Sequence, residues 1–135
     1  MPLIVWNERF SVNVKVIDDD HKKLLALAND LHDAIHVQHG RQALTSLLDE
    51  LVKYTQYHFA REEEFFARTD YPDAARHKRQ HEFLAQRLLE VQQRFSSGSQ
   101  VLTAEAMNFL KDWLYGHILC SDLRYGPHLN ANGIF

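Results

Sequence analysis

A single cysteine, Cys120, stands among the 135 residues, so no intrachain disulfide can form and a reducing compartment is the expected setting. Long apolar runs are missing too. Nothing approaches the roughly 18 residues that a membrane helix needs, and Met1 to Phe10 has neither the basic end nor the apolar stretch of a signal peptide. Neither sign of charge dominates: eighteen acidic against fifteen basic residues give a formal charge of -3, too balanced for a nucleic-acid-binding domain or an acidic tail. These absences leave a soluble, cytoplasmic protein, folded as one domain over residues 1–135, as the expectation. A chain of this length buries about two-thirds of its unfolded surface.

What is present is amphipathic helix. Asp18, Asp19 and Asp20 supply capping and first-turn acids for a helix over about 18–37, with Leu24, Leu25, Ala28, Leu31 and Ile35 on its apolar stripe. A second helix over about 41–67 carries Leu44, Leu47, Leu48, Leu51 and Thr55. Asp70, Tyr71 and Pro72 mark the next turn, with Pro72 opening a third helix over about 72–95 whose stripe ends in Leu84, Leu88, Val91 and Phe95. Thr103, or the residue before it, caps a fourth helix over about 103–121 with Ala106, Phe109 or Leu110, and Trp113 inward. Gly126, Pro127, Asn130, Asn132 and Gly133 suggest an irregular tail. Trp6 to Ile17 alternates valines without a second strand to pair with, and reads as an extended arm across the bundle end. The fold class is all-α: an up-down-up-down antiparallel four-helix bundle with an extended N-terminal arm. The stripes are accounted for within one chain, so a monomer is expected.

Histidines interrupt every stripe. His21 lies on the first, His58 and Glu62 on the second, His77 and His81 on the third, and His117 on the fourth. The four-residue spacings place each pair on one helical face. With helices alternating in direction, all six positions fall at the same end of the bundle. Burying this many polar groups without partners would cost several kcal/mol, whereas metal ions turn their lone pairs into ligands. Imidazole with carboxylate suits iron, zinc, nickel or manganese. Asp122 sits awkwardly, since five residues past His117 is about 140° around an ideal helix. It reaches the site only if the last turn is distorted or its carboxylate arrives from the stripe's edge. His32, His36, His39 and His128 fall outside this layer and read as surface or loop residues, and Cys120 as packing.

This order of residues, together with Phe59, Ile118 and the arm, resembles the hemerythrin family over nearly the whole chain. The resemblance implies two non-haem iron ions, with His77, His81 and His117 on one and His21 and His58 on the other. Glu62, Asp122 and an oxo or hydroxo group would bridge them. It also implies an oxygen pocket lined by Leu24, Phe59, Trp113 and Leu114, and an aromatic partner in Tyr125. Asp20 departs from the glutamine common before the first histidine in relatives. Five histidines, two bridging carboxylates and an oxygen bridge leave one position open, on the iron with fewer imidazoles. The implied function is reversible dioxygen binding for storage or delivery, not enzymatic turnover, with an oxygen-consuming protein or a reductase as possible partner. An oxygen or redox sensor acting through a partner and a di-iron peroxidase or nitric-oxide-processing enzyme are the alternatives. Glu63, Glu64, Asp112 and Tyr115 are candidates for holding the outer ring nitrogens.

Overall fold

The structure is a computed structural model that describes residues 2–37, 40–98 and 104–135. After one 3-10 turn at Glu8–Phe10, α1 runs Lys15–His36, α2 Arg41–Thr69, α3 Ala74–Ser96 and α4 Ala104–His117. A π-helical turn at Ile118–Asp122 then leads directly into α5, Leu123–Ala131. No strand occurs among the described residues. The chain is an all-α four-helix bundle in which α1 packs on α2 and α4, and α2 on α3. None of these helices is long and apolar enough to cross a membrane.

Two apolar clusters hold the bundle. The larger joins Leu24, Leu25, Ala28 and Leu31 of α1 to Leu48 and Leu51 of α2, Leu84 and Leu88 of α3, and Leu110 and Leu114 of α4. Each buried leucine contributes roughly 1.5–3 kcal/mol. A smaller cluster of Val12, Val14, Ile17, Phe66, Tyr125 and Leu129 closes one end. Along α1 the order Ile17, His21, Leu24 puts His21 between the two, and Phe59, Glu62, Phe66 does the same for Glu62 on α2. The polar layer is therefore sealed above and below by hydrocarbon.

The arm is less extended than its valine alternation suggests. Asn7 caps the 3-10 turn by accepting from the Arg9 amide, and Ile4 exchanges two hydrogen bonds with the Asn29 side chain, at 2.9 and 2.7 Å, which straps the arm along α1. That helix begins at Lys15, three residues before the expected start, because the aspartates have separate jobs. Asp18 reaches back to accept from the Val12 amide and the Ser11 hydroxyl, Asp19 pairs with Lys15 at the surface, and Asp20 turns inward.

Other boundaries shift for local reasons. Asp70 adopts left-handed φ 51° and ends α2 two residues late, its amide returning to the Phe66 carbonyl. Pro72 sits in the turn, and α3 starts at Ala74. Thr103 and His39 lie outside the described residues. The expected irregular tail is instead helix α5, with Pro127 inside it. Its His128 is half-buried and donates from Nε2 to the Thr69 carbonyl at 2.8 Å, tying α5 to the end of α2.

Gly126 marks a close crossing of chains, not a loop. A Cβ there would lie 2.4 Å from the Val12 carbonyl oxygen, so the arm can cross α5 only over a glycine. Gly126→Ala is expected to destabilise the protein by about 1–3 kcal/mol, because backbone and not a flexible side chain must move. Gly116→Ala, with open space around its Cβ, should be neutral or raise stability by up to about 1 kcal/mol. Thermal melts of the two variants check the contrast.

Candidate metal centre

Five imidazoles and two carboxylates converge where α1, α2, α3 and α4 face one another. α1 contributes His21, α2 contributes His58 and Glu62 one turn apart, α3 contributes His77 and His81 at the same spacing, and α4 ends in His117. All are buried, Glu62 completely. Asp122 joins them by way of the π turn. One extra residue in that turn offsets about 100° of helical rotation, so the awkward 140° becomes roughly 40° and the carboxylate points the same way as His117.

The donors fall into two groups of four: His77, His81, His117 and Asp122, and His21, His58, Glu62 and Asp122, with the donor atoms of each group within 4.8 Å of one another. Asp122 belongs to both, with Oδ1 2.8 Å from His77 Nε2 and 3.0 Å from His117 Nε2, and Oδ2 3.0 Å from His21 Nε2. Glu62 likewise spans the groups, one oxygen beside His58 Nε2 and 3.7 Å from His81 Nε2, the other 3.5 Å from His77 Nε2.

Short as these approaches are, none is aligned as a hydrogen bond. All five Nε2 atoms and all four carboxylate oxygens are buried without a hydrogen-bond partner. An interior group left this way costs about 1–3 kcal/mol, more when charged, and a cation among these donors would remove that cost.

Comparison with known proteins agrees with this geometry. The family model described as the hemerythrin HHE cation binding domain matches residues 12–129. The chain belongs to the hemerythrin family. Bacteriohemerythrin of Stenotrophomonas maltophilia (strain R551-3) is 36% identical over 132 residues, covering 98% of this chain and 85% of its own length. That of Methylococcus capsulatus is 34% identical, covering 97% and 100%. A crystal structure of wild-type hemerythrin superimposes with a TM-score of 0.90 at 34% identity, covering 94% of this chain and 98% of that one.

The hemerythrin site sets its own electrostatics. Burial works against a charged His58, but Glu62 and hydrogen-bonding Asp20 outweigh it and push the imidazole up to about 10. His77 follows the same balance, burial opposed by Asp122 and Glu62, and rises to about 9. Burial carries His81 down to about 3, helped by the neighbouring His77 and His117. Burial would raise both acids, and in Glu62 the nearby Asp122 adds to that, yet the surrounding imidazoles hold Glu62 and Asp122 below the ordinary carboxylate range. Tyr125 is held well above its usual value by burial and by the two carboxylates, which keeps the phenol protonated.

Outer contacts partly match the expected ones. Glu63 Oε2 takes His81 Nδ1 at 2.9 Å. Glu64 and Asp112 are exposed, and Tyr115 packs against Phe10. Asp20, read from the sequence as a first-turn acid and as a departure from relatives, proves to hold His58 Nδ1 at 3.0 Å, with Tyr54 and Arg61 behind it. Tyr54 and Arg61 carry no sequence signal beyond lying one turn either side of His58.

Of the residues expected to line an oxygen pocket, Phe59 lies flat on His81, centroids 3.8 Å apart, and half-buried Trp113 stacks on His117 at 4.3 Å. Leu24 and Leu114 belong to the large apolar cluster. His32 and His36 lie toward the far end of α1, and Cys120 is exposed with a free thiol.

Proposed function

We propose that this hemerythrin-family chain binds dioxygen reversibly, for storage or delivery, at a pair of non-haem irons. His77, His81 and His117 would hold one iron and His21 with His58 the other, Glu62 and Asp122 bridging, and an oxo or hydroxo group completing the link. The observation that carries the reading is the unequal sharing: three imidazoles against two beside the carboxylates Glu62 and Asp122, which would leave the metal of the smaller set with one protein ligand fewer. When bound, the iron pair supplies the reversible two-electron reduction of dioxygen that carriage requires.

The chain's own part is to confine that chemistry. Leu24, Phe59 and Leu114 are buried beside the donors and keep bulk water away from them. Tyr125 presents a protonated phenol next to Glu62 and Asp122, available as a donor to a bridging carboxylate. An imidazole-rich set with only two anionic ligands gives less stabilisation to highly oxidised iron than a carboxylate-rich one, which favours carriage over substrate oxidation.

Anaerobic reduction of the iron-loaded protein, followed by cycles of oxygen addition and removal, tests the reading. Ligand-to-iron charge-transfer bands are expected to appear with oxygen and vanish on its removal over repeated cycles. Irreversible oxidation on the first exposure, or steady consumption of an added reductant, would instead identify a sensor or an enzyme.

A further inference from the structure

Among the imidazoles of the two-histidine group, His58 alone meets a buried carboxylate at its outer nitrogen. Asp20, 4% exposed, lies with Oδ2 3.0 Å from His58 Nδ1, while Tyr54 donates its hydroxyl proton to Oδ1 at 2.8 Å. Arg61 Nε stands 3.0 Å from the same Oδ2 as an ion pair, its N–H not aimed along that line. Arg61 is braced in turn over the Tyr57 ring, whose hydroxyl it also contacts. His21 Nδ1, by contrast, has no hydrogen-bond partner. On the three-histidine group, Glu63 meets His81, but its carboxylate is 30% exposed and water screens it.

We propose that Asp20 is a positioning residue for His58, one that makes the two halves of the centre electronically unequal. Its carboxylate fixes the ring with the proton on Nδ1 and Nε2 aimed inward, and its buried charge favours the ferric over the ferrous state of the metal held by His21 and His58. A ligand imidazole that donates to a carboxylate becomes a stronger base toward its metal, and the dry surroundings leave that charge poorly screened. The inference rests on the di-iron reading and adds to it which metal would be the easier to oxidise: the one that His21 and His58 would hold.

Two variants separate charge from shape. Asp20→Asn keeps the size and an acceptor for His58 Nδ1–H, since its amide can turn toward the Tyr54 hydroxyl, which accepts as readily as it donates. Arg61→Gln removes the cation that offsets the Asp20 charge. Potentiometric titration of the iron-loaded proteins, with iron content measured alongside, is the decisive readout. Asp20→Asn is expected to shift one couple about tenfold toward the ferrous state, which is about 59 mV upward for one electron, and to weaken oxygen binding by a similar factor.

Arg61→Gln is expected to move the same couple downward. A role confined to structure would move both variants in one direction. Unchanged potential in iron-replete Asp20→Asn overturns the proposal, as does a shift of the same sign in Arg61→Gln. Where Asp20→Asn fails to hold iron, Arg61→Gln decides alone, and an unmoved potential there overturns it too. The potential is read without oxygen, so a wild type that fails to cycle oxygen sinks the carrier reading while leaving this inference standing or falling by itself.

Discussion

Inserting one alanine between Leu119 and Cys120 is expected to strip the centre of its shared carboxylate and drop iron binding below one ion per chain, whereas deleting Leu119 should leave two bound. The π turn at Ile118–Asp122 holds one residue more than an α-helical turn. Removing an exposed residue from it leaves Asp122 four places after His117, which an ordinary α-helix puts about 40° away and about 6 Å along the axis. The deletion therefore relaxes the turn to regular helix and keeps His117, Ile118 and Asp122 inward. The insertion rotates Asp122 and everything after it by about 100°, and takes Tyr125 and Gly126 off the arm as well. Iron analysis with circular dichroism distinguishes the cases. Iron loss in the deletion with a normal helical spectrum would show that the π geometry itself is required.

Loading ferrous iron into the metal-free protein under argon is expected to release about two protons near pH 8 and to weaken about 100-fold for each pH unit below that. His58, opposed by burial but pushed up to about 10 by Glu62 and Asp20, and His77, likewise raised to about 9, hold protons that the metal must displace. His81, carried down to about 3 mainly by burial, has none to give. Stability of the metal-free fold runs the other way. Imidazoles raised by folding contribute stability that is full below about 6.5 and is lost as pH climbs through about 9 and 10. Glu62 and Asp122, depressed by folding despite their burial, contribute above about 4 and lose that contribution as pH falls below it. A pH indicator in weak buffer counts the protons. Melts of metal-free protein should fall progressively between about pH 6.5 and 10 while those of iron-loaded protein do not, and parallel curves would contradict the assignment.

Much of this was legible beforehand, for a definite reason. A 3.6-residue period maps sequence onto helix faces, so His58 with Glu62 and His77 with His81 announce themselves as paired side chains. Alternating helix direction then sets their depth. Where the period fails, so does the reading. Asp122 is off the stripe by periodicity and on target in the structure because the turn before it is π-helical. Gly126 and Pro127 resemble loop punctuation, yet the glycine is there for the crossing of the arm. Asp18, Asp19 and Asp20 look like one capping cluster and perform three unrelated tasks.

The sequence by itself determined the four long helices, their buried faces, and the meeting of five imidazoles with Glu62 at one end, because each follows from local spacing and the sign of hydrophobicity along one helix. Tertiary structure decided what depends on how helices rotate against each other. It set Asp20 on His58 across the α1 and α2 interface, Glu63 on His81 across α2 and α3, and Asp122 between both donor groups. A hydrogen bond changes over fractions of an ångström, and no pattern along a single strand of sequence records relative rotation that finely.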